Sequence, residues 1–323
     1  MFQSGNFIIN RYVKWIEAPV TPSALYNPDL QTMHHGTQTS VPLAQIAEAL
    51  WNGQAVLGTD GSVIGQKATY SWILSTTSDV IVADARGGGF LPPPARYTEY
   101  SSKRPEGAAI YAGLHWISQL LRQFPRTHPQ VGQTPALPVY ADNNAVLKDL
   151  KRNLEDQTPT FAYLCPDHDI IQGICTLHTQ LPFDTRFSHV KSHQDQQHPF
   201  ANLPPAAQIN ILADQHASAI HQKQANRTGL FPTWIPGTRA ALHRGSYPIT
   251  KNLPAYLRTA IHAPEMQEYL IHRSIEGTGR ESPWDNYIFD SIAWKPLHEV
   301  FRKYSTGQRT QLSKYMNDLL PTA

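Results

Sequence analysis

The sequence predicts an α/β protein in which a mixed five-stranded sheet is flanked by helices and followed by a helical C-terminal extension. Three observations carry this. Between Ala55 and Gln222, short β-rich runs and amphipathic helical stretches succeed one another as three strands, a helix, a strand, helices, a strand and a last helix. Clusters of Gly, Ser, Asp and Thr separate the first three strands closely enough for an antiparallel meander. Beyond Arg227 the strand signals fade and helical periodicity continues.

Taken in order, residues 1–50 form a leader rich in Pro, Asn, Thr and His, whose one periodic segment is Pro42 to Trp51, with Leu43, Ile46, Ala47 and Leu50 on a helical face. Residues 51–225 form the α/β domain. Its first strands are Ala55 to Asp60, Ala68 to Leu74 and Asp79 to Ala85. A loop containing Gly87-Gly88-Gly89 and Pro92-Pro93-Pro94 leads to a helix from Pro105 to Phe124, with Ile110, Leu114, Ile117 and Leu121 on one stripe. A strand at Leu137 to Ala141, helices at Asn144 to Arg152 and near Asp167 to Thr179, a strand at Arg186 to Val190 and a helix at Ala206 to Gln222 complete it. Residues 226–323 form the extension, with helical patterns at Ala255 to His262, Glu265 to Ile275, Trp294 to Lys303 and Gly307 to Leu320.

Composition bounds the partners. The 323 residues are 41% hydrophobic and 16% charged, which suits a chain that buries a core. The net charge of +2 is small for a phosphate-seeking surface, so any basic site is local. Up to Gln224 there are 15 Lys and Arg against 17 Asp and Glu, and after it 12 against 8, so the tail is the more basic part. Two cysteines cannot build a disulfide framework, and Met1 to Ile16 has no apolar run of signal-peptide or membrane-span length. The expectation is an intracellular, reduced protein with no membrane association. No dense Lys/Arg run selects the nucleus over the cytoplasm. Cys165-Pro-Asp-His168 and Cys175-Thr-Leu-His178 have zinc-type donors, but Ile170, Ile171, Ile174 and Leu177 repeat at helical spacing there, which makes the Cys and His residues passengers on an amphipathic helix.

Four carboxylates stand out. Asp60 ends an apolar strand and precedes Gly61-Ser62, which alone is an ordinary turn signal. Asp142 ends a second strand in the same way, Glu106 opens the helix between them, and Asp214 occupies a helix interior where better helix formers are usual. Carboxylates at neighbouring strand ends and an adjacent helix start can converge. Hard oxygen donors brought together repel unless a divalent cation neutralises them, and Mg²⁺ or Mn²⁺ suits such ligands.

The stretches Gly58-Thr59-Asp60-Gly61-Ser62, Ser101-Ser102-Lys103-Arg104-Pro105-Glu106-Gly107, Tyr140-Ala141-Asp142-Asn143, and Val190-Lys191-Ser192-His193-Gln194-Asp195 with Asn210-Ile211-Leu212-Ala213-Asp214 resemble, in this order, the ribonuclease H family. The likeness is greatest to the ribonuclease H domains of eukaryotic retroelement reverse-transcriptase polyproteins. That resemblance implies a ribonuclease H-like fold and a metal-dependent endonuclease that hydrolyses the RNA strand of RNA/DNA hybrids with two Mg²⁺ or Mn²⁺ ions. It makes Asp60 the carboxylate shared by both ions, Glu106, Asp142 and Asp214 the rest of the metal shell, and His193 the family's mobile histidine. An imidazole can exchange protons near neutral pH and so assist proton movement or product release; the plainer reading is an exposed loop histidine. Ser62, Asn143, Asn144 and Lys191 are candidate substrate contacts, with Lys103 and Arg104 as further phosphate partners. The segment between His193 and Asp214, with Pro199, Pro204 and Pro205, is longer than in compact members, which bears on His193 more than on the carboxylates.

The tail resembles the region that follows this domain in the same polyproteins, at Phe289-Asp290-Ser291-Ile292-Ala293-Trp294 and from Lys314-Tyr315 to Leu319-Leu320-Pro321-Thr322. The chain therefore reads as a fragment or relic of a larger polyprotein without its reverse transcriptase. Its Trp294, Leu297, Val300 and Phe301 suit a helical core, and its positive charge could support hybrid binding. A polymerase palm reading of Tyr140-Ala141-Asp142-Asn143 fails because the second residue is Asn143 and a helical run follows. Two alternatives stay open: a catalytically inactive nucleic-acid-binding protein that keeps the fold, and a nuclease acting on DNA ends or junctions.

Overall fold

The computed structural model describes residues 28–77, 81–94, 100–126, 134–155, 165–222 and 229–233, with isolated short stretches up to 308. The chain divides into two compact units, 1–254 and 255–323. The helical patterns expected beyond residue 255 lie almost entirely outside the described residues. In the first unit a short helix α1 (Pro28–Thr32), a two-residue strand β1 (Gln38–Thr39) and helix α2 (Leu43–Trp51) precede the strands β2 (Val56–Ile64), β3 (Lys67–Ser75) and β4 (Ala85–Phe90). Helix α3 (Lys103–Gln123), strand β5 (Ala136–Ala141), helices α4 (Asn144–Leu154) and α5 (His168–Gln180), strand β6 (Asp184–His189), helix α6 (Pro205–His221) and strand β7 (Gly229–Leu230) follow. A two-residue hairpin, β8 (His243–Arg244) with β9 (Tyr247–Pro248), stands apart from the sheet.

The mixed sheet flanked by helices is present, with seven strands where the sequence predicts five. The five longer strands run in the order β4-β3-β2-β5-β6, and β1 and β7 add to the outer edge of β4. The meander β2-β3-β4 is antiparallel, while β5 joins β2 in parallel and β6 joins β5 in parallel. Register places Gly58 beside Tyr140 and Asp60 beside Ser71, so the middle of β2 lies next to the C-terminal end of β5.

Two sequence-based expectations change. The first strand does not end at Asp60: it continues to Ile64 and turns at Gly65, whose φ is 59°. The third strand is 85–90 rather than 79–85, and it contains the three glycines read as a loop. A Cβ at Gly87 would stand 2.5 Å from the Trp72 ring, and one at Gly88 would stand 2.6 Å from Ile220 of α6. These glycines let Trp72 and α6 press on β4 from opposite faces, a use of strand glycine that composition alone does not reveal. Residues 81–84 form the connection instead, held by the Asp84 carboxylate, which accepts from the Thr76 backbone N–H at 2.7 Å and its hydroxyl at 2.8 Å.

Helix α3 is buried on almost every side from Arg104 to Ile117, more than its apolar stripe predicts, because small residues fill the remaining positions. A Cβ on Gly107 would meet Ile170 of α5, and one on Gly113 would meet Leu57 of β2. Helix α6 covers the other face, where Gly58 admits Ile209, and polar contacts fix it: Asn210 Nδ2 donates to Thr59 O at 3.3 Å and Thr69 Oγ1 donates to Ala217 O at 3.2 Å. The core between sheet and α3 holds Trp72 against Trp116, with ring centres 5.0 Å apart, and extends to Leu30, Met33, Phe231 and Ile235. Residues on both sides of the 51–225 stretch thus share its core. No helix among the described residues is long and apolar enough to cross a membrane.

The segment after α1 is fastened to α3 by a histidine pair, His34 Nε2 to His115 Nδ1 at 2.8 Å. One ring must donate and the other accept, so the accepting ring at least is neutral. Burial first, and then the neighbouring His115, lowers His34 from 6.5 to about 3; burial and then Arg122 lowers His115 from 6.5 to about 4. Because the unfolded chain takes up these protons first, the stability the pair contributes is full above pH 6.5 and is lost as pH falls toward 4 and 3. Denaturant unfolding between pH 7 and 4 should therefore show an acid-side slope that the double variant His34→Leu/His115→Leu flattens by up to about 1.4 kcal/mol per pH unit for each of the two protons.

Candidate active site

Three elements deliver three carboxylates to one place. Asp60 lies in the middle of β2, on the face toward α6. The next residue, Gly61, faces α3: a Cβ there would sit 2.2 Å from the Glu106 backbone nitrogen and 2.3 Å from the Pro105 carbonyl carbon. Glycine is thus what lets the first turn of α3 rest directly on the strand. Glu106, in that turn, is 1% exposed, and Asp142 follows the last residue of β5. Asp60, Glu106 and Asp142 each offer a ligand oxygen, all within 4.8 Å of one another.

The start of α3 is held from behind. Arg104, 1% exposed, donates through Nη1 to Asp167 Oδ1 at 3.2 Å and to Asp169 Oδ1 at 3.0 Å, and through Nη2 to Asp169 Oδ2 at 3.1 Å. Ser101 Oγ donates to Asp167 and accepts the Arg104 N–H at 3.0 Å, supplying the cap that Ser102 does not. Asp167 takes a left-handed conformation, φ 65°, at the head of α5, and burial holds its carboxyl up at about 6 despite the guanidinium. Sequence reading missed this clamp and gave Arg104 to substrate phosphates, which its burial forbids. The legible signal was Asp167-His168-Asp169, two acids at the start of an otherwise apolar helix. Lys103, the other phosphate candidate, is paired with Asp149.

The carboxylates are electrostatically strained as they stand. Burial, then the charges of Asp142 and Asp214, raises Asp60 from 3.8 to about 8, against a backbone N–H of Gly61 that favours the anion. Burial, then Asp60 and Asp142, pushes Glu106 well above its ordinary value, with N–H groups of Gly61 and Asp142 opposing. Burial also raises Asp142. Glu106 Oε1 is buried without a hydrogen-bond partner. A buried lone pair with no donor, among acids that cannot ionise together, is the environment a hard divalent cation satisfies.

Asp214, on α6, stands outside the tight trio but near enough to raise both Asp60 and Asp142. Its Oδ2 is 3.7 Å from His193 Nδ1. His193 is left-handed at φ 52°, and its side chain is 59% exposed. His189 contacts the Asp142 carbonyl at 3.0 Å, a neighbour sequence reading did not single out. Of the substrate-contact candidates, Ser62 is two residues beyond Asp60 on the same face of β2, and Asn144 and Lys191 are exposed. Asn143 is engaged as the N-cap of α4: its Oδ1 accepts from Ala145 N and Val146 N, and its Nδ2 donates to Ser102 O. Among the described residues, no cation-sized grouping of Cys and His forms; Cys175 packs against the core, and burial raises its thiol to about 11.

No protein-family model matches the chain, and no curated protein does. Solved structures do. The solution structure of the PFV ribonuclease H domain is 15% identical, with a TM-score of 0.34, over 51% of this chain and 95% of that one. Ribonuclease H1 of the halophilic archaeon Halobacterium salinarum is 19% identical, with a TM-score of 0.29, over 45% of this chain and 90% of that one. A metagenomic ribonuclease H1 isolated from compost, solved in complex with an RNA/DNA hybrid, is 13% identical, with a TM-score of 0.30, over 49% of this chain and 99% of that one.

Two outcomes follow for stability. An acid whose folded pKa is raised stabilises the fold below its unfolded pKa and loses that contribution as pH rises through the folded one. Without divalent cation, stability should therefore decline from about pH 4 to about pH 8 on account of Asp60. Thermal scans at pH 8 in chelator should place Asp60→Asn above the wild type by at least about 2–4 °C, the shift 1 kcal/mol gives in a domain of this size, and Mg²⁺ should raise the wild type alone. Arg104→Met strands two buried acids and should cost about 3–5 kcal/mol in urea unfolding, most of it recovered when Asp167→Asn and Asp169→Asn are added.

Proposed function

We propose that this chain is a metal-dependent endonuclease of ribonuclease H type that hydrolyses the RNA strand of RNA/DNA hybrids, derived from a retroelement polyprotein. The observation that carries the proposal is the convergence of Asp60, Glu106 and Asp142 at the junction of β2, β5 and α3, with a buried Glu106 oxygen that no donor satisfies. The order of the four sequence motifs supports the same reading.

In this reading Asp60, Glu106, Asp142 and Asp214 would hold two Mg²⁺ or Mn²⁺ ions. Ions held there would supply the activation of a water and the neutralisation of a leaving 3′ oxygen that an in-line displacement needs. The protein's own part is to keep the acids converged. Arg104 and Gly61 fix Glu106, β5 fixes Asp142, and the polar contacts of α6 with β2 and β3 fix the helix carrying Asp214. His193, an exposed imidazole with Nδ1 toward Asp214, carries a proton between solvent and the departing 3′ oxygen. Ser62 and Asn144, each two residues from a carboxylate in sequence, are small polar groups suited to 2′-hydroxyls in the shallow minor groove of a hybrid, and Lys191 offers a charge for phosphate.

The test is cleavage of an end-labelled RNA/DNA hybrid in Mg²⁺ and in Mn²⁺, beside single-stranded RNA and duplex DNA. Hybrid-specific cutting is expected, reduced at least about 10³-fold in Asp60→Asn and about 10²-fold in kcat by His193→Ala. Metal-dependent cutting of duplex DNA in preference to the hybrid, or no cutting by a folded protein, would overturn the assignment.

A further inference from the structure

The segment between His193 and Asp214 is built rather than slack. It holds two short 3₁₀ turns, Gln194–Gln196 and Phe200–Asn202, and the second is tied to α6 by Gln208 Nε2, which donates to Phe200 O at 3.2 Å and to Leu203 O at 2.8 Å. Leu203 is buried with Val190, Ala207 and Ile211. Yet this anchored loop leaves Phe200 37% exposed, an aromatic face held in place with no core to fill.

Phe200 lines an open groove of about 590 Å³ together with Leu212 and Gln215, about one turn apart on α6. Small-ligand sites span about 300–1,000 Å³. The rest of the lining includes Gln196, His198 and Asp195 and, among the described residues, no Lys or Arg. Such a groove does not attract phosphate, and its Asp195 carboxylate repels it. It offers an aromatic and an aliphatic surface for a flat ring, and amide and imidazole groups that can donate and accept along that ring's edge. Its lining neighbours the proposed nuclease site along the chain: Asp195 lies two residues past His193, and Leu212 and Gln215 flank Asp214 in sequence.

We infer that this groove is a subsite for one unpaired nucleobase, so that the preferred substrate is a hybrid continued by a single-stranded segment beside the carboxylate centre. The inference rests on the nucleic-acid reading above and narrows it. Bases inside a paired hybrid are stacked and cannot present a face to Phe200, whereas the first base beyond the pairing can.

The experiment is equilibrium binding by fluorescence anisotropy, with the full chain carrying Asp60→Asn so that bound hybrid is not cut. The probes are a blunt hybrid, the same hybrid with a single-stranded extension at either end of the RNA, extensions of equal length made of abasic nucleotides, and the single strand alone. One extension should tighten binding at least about fivefold, the lower end of what a base–aromatic stack contributes. Phe200→Ala should abolish that gain while leaving blunt-hybrid affinity unchanged, Phe200→Trp should keep it, and the abasic extension should not produce it. Equal affinity for blunt and extended hybrids, a gain that survives Phe200→Ala, or an equal gain from abasic extensions would each overturn the subsite while leaving hybrid cleavage standing. If no hybrid is bound or cut, the nuclease reading fails. The single strand then decides the groove: binding weakened by Phe200→Ala upholds it, and binding indifferent to Phe200 overturns it.

Discussion

The contact on which the site depends is the approach of α3 to β2 at Gly61, where a single methyl group would collide with the Glu106 backbone. That approach brings an acid at a helix start within 4.8 Å of two acids carried by strands β2 and β5. Like charges so close in a buried place would drive the elements apart unless each were fixed by something else. Helix α3 is fixed by its packing against α5 and the sheet, β5 by its pairing with β2 and β6, and α6 by hydrogen bonds to Thr59 and Thr69. The surrounding fold overcomes a local repulsion, and the repulsion is what makes the place selective for cations.

The Arg104 clamp shows how that rigidity is arranged. A guanidinium two residues before Glu106, bonded to two aspartates at the head of α5, ties the first turn of α3 to a neighbouring helix as well as to the strand. A buried ion triad of this kind adds little net stability over apolar packing, but it permits one arrangement and makes the alternatives costly. Orientation of Glu106 is its natural use. The Asn143 cap works in the same direction: it starts α4 directly after Asp142 and bonds back to Ser102, so the residues flanking Glu106 and Asp142 hold one another.

Much of this was legible in the sequence. The strand and helix order and the sites of α2 to α6 follow from periodicity, and Glu106 and Asp142 stand out as carboxylates at element ends, whereas Asp60 lies inside its strand and Asp214 inside a helix. What was not legible depends on partners distant in sequence. Gly61 and Gly87-Gly88-Gly89 have the same composition as turns; only the close approach of Glu106, Trp72 and Ile220 tells that they lie inside strands. Arg104 looks like a phosphate ligand until Asp167 and Asp169, more than 60 residues away, are seen to neutralise it. Asn143, beside an expected metal ligand, suggests substrate contact by position, whereas its side chain serves the helix it begins.

The charge balance constrains how a polyanion can reach such a site. The stretch up to Gln224 carries more acids than bases, and the cations nearest the centre in sequence, Lys103 and Arg104, are already paired with Asp149, Asp167 and Asp169. Phosphate therefore meets a field dominated by Asp60, Glu106, Asp142 and Asp214 unless divalent cations reverse its sign. On the proposed function, cation and substrate binding would then be coupled: each bound ion would remove repulsion among the acids and create attraction for the backbone at the same point. A protein of this composition does not hold nucleic acid by a general basic surface. On the proposed nuclease reading it would hold the strand at the metal-binding acids, and contacts that read sugar or base rather than charge, at Ser62, Asn144 or the Phe200 groove, would be the ones that discriminate between substrates.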